Sequence, residues 1–74
     1  MGGGRKRLTR ADLEAMVGEF DVVERYGGAS STVDEDLHRI RRNVRLGVRV
    51  EDWARARGVP LAYARALQRY LDQG

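Results

Sequence analysis

The chain has 74 residues, no cysteine, and 14 lysine or arginine side chains against 11 acidic ones, a formal net charge of +3 at pH 7. This length suits one small domain that buries only about 60% of the surface its unfolded form exposes, so association into a homodimer is the expected supplement. Without cysteine there is neither a disulfide nor a thiolate metal site, which suits a cytoplasmic location, and no apolar run nears the roughly 20 residues of a membrane span.

The charge is segregated along the chain. Residues 1–10 carry four basic side chains and no acid, residues 11–36 carry eight acids against Arg25, and residues 37–74 carry nine arginines against three acids. Clustered arginines attract a polyanion and release its counterions. An acidic segment is repelled by the same partner and is expected to face away from it.

Residues 1–8 (MGGGRKRL) are glycine-rich and basic, and are expected to form a flexible tail. No apolar segment follows them, so they lack the pattern of a signal peptide. Such a tail either is an unstructured start or lies along DNA as a minor-groove arm.

Residues 9–74 are expected to form a single helical domain. Thr9 and Asp12 have the spacing of a capping box, and Leu13, Met16, Val17, Phe20, Val23 and Tyr26 recur at helical spacing. A helix over residues 10–26 follows, ended by Gly27-Gly28. Its apolar stripe suits either the core or a dimer seam.

Residues 27–32 (GGASST) have the composition of a linker. Thr32 with Glu35 repeats the capping-box spacing, so a second helix is expected from Val33, with Asp34, Glu35 and Asp36 at its N-terminal end, where the helix dipole favours them. Three consecutive helical residues diverge, so this triplet does not converge on a metal. The second helix is expected to bury Leu37, Ile40 and Val44, with Leu46 near its end, and to stop at Gly47. Arg39, Arg41, Arg42 and Arg45 surround that stripe, and His38 is a lone surface histidine.

A third helix is expected from Val50, with Trp53 and Ala54 turned inward and Gly58 ending it. Pro60 then opens a fourth helix, where its missing N–H costs nothing. Residues 61–71 place Leu61, Ala64, Leu67 and Leu71 on one face, and residues 72–74 are expected to fray.

The stretch 50–69 resembles the helix-turn-helix core of phage and bacterial DNA-binding regulators. Ala54 stands where that family places a small residue, Gly58 where it places the turn glycine, and Val59 and Leu67 where it places apolar anchors. Arg57 departs from the pattern, because an apolar residue is usual just before the turn glycine. Ala64 departs too, where a branched apolar residue is preferred. The resemblance implies an all-α, small four-helix domain whose residues 33–72 form a C-terminal helix-turn-helix unit, with helix 61–71 in the major groove of double-stranded DNA. It further implies that Arg65 and Arg69 contact bases or adjacent phosphates. Tyr63 and Gln68 would add hydrogen bonds, and Arg49, Arg55 and Arg57 would grip the backbone.

No nucleophile–base pair, phosphate-cradling glycine loop or metal-ligand spacing is present, so no enzyme activity, catalytic residue, cofactor or metal is expected. The alternative is a protein-interaction module, antitoxin-like or adaptor-like, that docks a partner through the acidic amphipathic helix 10–26.

Overall fold

The computed structural model describes residues 7–20 and 28–73. They form four α-helices: α1 (Arg10–Phe20), α2 (Gly28–Arg45), α3 (Val50–Arg57) and α4 (Leu61–Gln73). Among the described residues there is no strand, and the chain is all-α. Helices α2 and α4 pack on each other and on both remaining helices, whereas α1 and α3 do not meet. The core is thus a central pair flanked on two sides.

The cap of α1 is reciprocal. The Thr9 hydroxyl accepts from the Asp12 N–H at 3.2 Å, and the Asp12 carboxylate accepts from the Thr9 N–H at 2.9 Å, so two otherwise orphaned donors are satisfied. Leu13 and Val17 are fully buried, with Met16 and Phe20 packed at the margin of the core. Residues 21–26, the expected remainder of this helix, lie outside the described residues.

The expected linker is corrected: residues 28–32 are the opening of α2. The Thr32 hydroxyl donates back to the Gly28 carbonyl at 3.2 Å and does not cap. Thr32 and Val33 are buried and Ala29 packs against the core, so burial outweighs the turn propensity of these residues. Arg10 ties the start of α1 to this turn, pairing with Asp34 at 2.6 Å and donating to the Ser30 carbonyl at 3.2 Å.

Helix α2 also outruns the core. Ile40 is fully buried, but Val44, expected inside, is 43% exposed, and Leu46, just past the end of the helix, is 71% exposed. The helix ends in a Schellman motif: Gly47 has φ +84°, its N–H donates to Val44 O, and the Val48 N–H donates to Asn43 O at 2.9 Å.

Helix α3 follows at once and stops at Gly58, which has φ +81°. Both the Gly58 and Val59 N–H groups donate to the Ala54 carbonyl, and the Pro60 carbonyl receives the first bonds of α4. Trp53, Ala54, Ala64 and Leu67 fill the junction. Leu61, expected on the inner face of α4, is 37% exposed.

Residues 72 and 73, expected to fray, belong to α4, and residue 74 lies outside the described residues. The Gln73 side-chain amide accepts from the Leu8 N–H at 2.8 Å and donates to the Leu8 carbonyl at 3.0 Å. Arg7 adds a bond to the Gln73 carbonyl at 3.1 Å. Residues 7 and 8 of the expected flexible tail are therefore tethered, and residues 1–6 lie outside the described residues.

A Cβ at position 58 would meet no neighbour, so a substitution there tests backbone strain alone. Gly58→Ala is expected to cost about 1–2 kcal/mol through its left-handed conformation, lowering the thermal midpoint by roughly 5–10 °C in circular dichroism.

Candidate nucleic-acid interface

The residues expected to contact DNA divide into two groups. Arg65 and Arg69 stand one turn apart on the outer face of α4, both exposed, beside exposed Leu61, Ala62 and Asp72. Tyr63, Ala64 and Leu67 take the opposite face into the core. Arg55 on α3 is exposed, and so is Arg49 just before it, in an open ion pair with Glu51 at 3.6 Å. Among the described residues, Arg55, Arg65 and Arg69 have no acidic partner within 4.0 Å; the same holds for Arg41, Arg42 and Arg45 on α2. Gln68 is half-buried on the flank of α4 that turns toward α2.

Tyr63 and Arg57 are corrected. Tyr63 is 1% exposed, and its hydroxyl donates to the Asp36 carboxylate at 2.8 Å. Its ring lies against Phe20 with centroids 5.0 Å apart. Arg57 donates through Nε to the other Asp36 oxygen at 3.0 Å, with only a fifth of its side chain exposed. Neither side chain is available to a nucleic acid as the molecule stands.

Asp36 is the residue that the sequence concealed. It is fully buried, three residues after Val33 and four before Ile40 on the inner stripe of α2. Its expected role at a helix N-terminus fails because α2 begins eight residues earlier. The acidic triplet diverges: Asp34 meets Arg10, Glu35 loosely meets Arg39 at 3.8 Å, and Asp36 turns inward. Two signals were present, namely an acid in phase with apolar positions and an arginine, Arg57, where the helix-turn-helix pattern wants an apolar residue.

Charge is hard to bury. An ionised carboxylate loses several kcal/mol of hydration unless good geometry and full hydrogen bonding offset it. Here each oxygen has its donor, and no buried side-chain polar atom among the described residues lacks a partner. The residues on either side of the turn, 57 and 63, are thereby fixed to one point on α2. That fixes how α3 and α4 leave the core, and so which face of α4 is presented.

The acids of α1 all reach the surface, at least in part. Asp12 is committed to the cap, Glu14 is half-buried and Glu19 is exposed. Residues 21–26 of the expected docking helix lie outside the described residues. No helix among those described is long and apolar enough to cross a membrane.

Removing the Asp36 carboxylate strands two buried donors. Asp36→Ala is expected to cost about 3–5 kcal/mol in urea unfolding, and Tyr63→Phe about 1–2 kcal/mol. The Tyr63 phenol is held well above its ordinary value near 10, first by desolvation and then by the hydrogen bond to Asp36 and the repulsion of its charge, with Arg57 opposing. Stability from the protonated phenol is complete below pH 10. It is lost progressively above, because the unfolded chain releases that proton first. An alkaline loss approaching roughly 1.4 kcal/mol per pH unit above 10 is expected in the parent and is diminished in Tyr63→Phe.

Comparison with known protein families, with curated proteins and with solved structures finds no match to the chain. Its candidate interface stands on its own geometry and charge.

Proposed function

We propose that the protein is a small sequence-specific DNA-binding regulator that presents the outer face of α4 to the major groove. The observation that carries this reading is the Arg65–Arg69 pair, one turn apart, exposed and without acidic partners among the described residues. Arginine is the side chain best suited to bidentate contact with guanine or phosphate. The short link through Gly58, Val59 and Pro60, with α2 as support, is the arrangement in which a second helix is offered to a groove.

In this reading Arg65 and Arg69 read bases or adjacent phosphates, and Arg55 and Arg49 hold the backbone. The exposed apolar front of α4, Leu61 and Ala62, suits the methyl group of thymine. Tyr63 and Arg57 act on DNA only by holding the turn against Asp36. Gln68 remains a contact at the edge.

Fluorescence anisotropy with random duplex DNA, titrated at two salt concentrations, tests the reading. The parent is expected to bind with an affinity that falls steeply with salt. Arg65→Ala/Arg69→Ala, with unchanged helical circular dichroism, is expected to lose about 10- to 100-fold and to show a shallower salt slope. Absence of parent binding at low salt overturns it.

A further inference from the structure

The last two turns of α2 lie beside the end of α4 over a surface depression of about 240 Å³. Helix α2 lines it with apolar Ile40 and Val44 and basic Arg41 and Arg45, and α4 lines it with Gln68, Leu71 and Asp72. Val44 sits at 43% exposure on the apolar stripe of α2, where the core has already ended. We propose that this groove docks an acidic, amphipathic helix of a protein partner. The inference does not rest on the DNA reading, because Arg65 and Arg69 line no part of the groove; Gln68 is the one residue the two surfaces share.

The choice of partner follows from charge. Arg41 and Arg45 are exposed and have no acidic partner among the described residues. Arg42 extends the same basic ridge, with Asp72 the single acid on the opposite rim. Nucleic acid would satisfy the arginines but leave the apolar walls without a counterpart. A helix with leucine-like side chains at i, i+3, i+4 and i+7 and acids flanking them meets both demands.

A second copy of this chain does not. A twofold across the groove sets Arg41 and Arg45 against their own images, which is repulsive, and a twofold along it offers the two arginines of each copy a single acid, Asp72. Among the described residues, a head-to-tail contact would have to offer α1, whose Leu13 and Val17 are fully buried in its own core. That helix has acids to give but has already spent its main apolar stripe.

The test uses the full chain and two labelled synthetic peptides, both with leucine at i, i+3, i+4 and i+7. One carries glutamate at the remaining positions and the other carries lysine. Anisotropy at low salt is expected to show binding of the glutamate peptide only. Arg41→Glu/Arg45→Glu is expected to weaken it by about tenfold or more, and Val44→Ser by about fivefold. Arg65→Ala/Arg69→Ala is expected to leave it within about twofold. Val44 is exposed enough that Val44→Ser retains the fold, which circular dichroism verifies. No binding of the glutamate peptide, equal binding of the lysine peptide, or indifference to both groove variants overturns the proposal. Parent self-association in sedimentation that disappears in Val44→Ser would assign the groove to a second copy, and also overturns it.

Discussion

A single buried carboxylate orders this molecule. Asp36 takes one donor from the last residue of α3 and one from the third residue of α4. The turn between those helices has no backbone bond to α2, since Gly58 and Val59 bond only to Ala54, so its directed contact with α2 comes through Asp36, beside the apolar packing of Trp53, Ala54, Ala64 and Leu67. Such a group is a poor source of net stability, because its lost hydration opposes its attraction. Its value is geometric. A purely apolar contact tolerates sliding, whereas two directed hydrogen bonds at 2.8 and 3.0 Å do not.

With that orientation fixed, the arginines of the C-terminal half fall on separate surfaces. Arg65 and Arg69 project from the outer face of α4, while Arg41, Arg42 and Arg45 line the outside of α2. Arg57 belongs to neither, being spent inside. The excess charge of this half is therefore not one diffuse field. One surface is flanked by small and apolar residues at the start of a helix, the other by an apolar depression at a helix end. The two surfaces adjoin along α4, where Gln68 and Asp72 lie between the outer arginines and the depression.

Much of this architecture is legible in the sequence. The capping pair Thr9 and Asp12, the stripe through Leu13 and Val17, and the stop at Gly58 are local signals that the folded chain obeys. What resisted reading was non-local. The GGASST segment has turn composition, yet 28–32 is helical because Ala29, Thr32 and Val33 find the core. Three adjacent acids looked like a dipole-matched cap, and only the third is in phase with Val33 and Ile40. Periodicity says which side of α2 is apolar, not where its neighbours end, so Val44 was placed inside. For the site, the helix-turn-helix resemblance points to Arg65 and Arg69, and both are exposed. Arg57 breaks the pattern of that resemblance, whereas the inward turn of Tyr63 follows only from the position of Asp36.

The clasp between Leu8 and Gln73 joins residues 65 apart in sequence. Closing so long a loop carries an entropic cost that local helix formation does not share. The clasp therefore belongs among the later contacts to form, and among the first to open. Once it parts, α1 keeps its packing on α2 and on α4, Phe20 against Tyr63 included, and residues 7–8 and the last turn of α4 are released together. The stability of the final turn of α4 is set in this way from the opposite end of the chain.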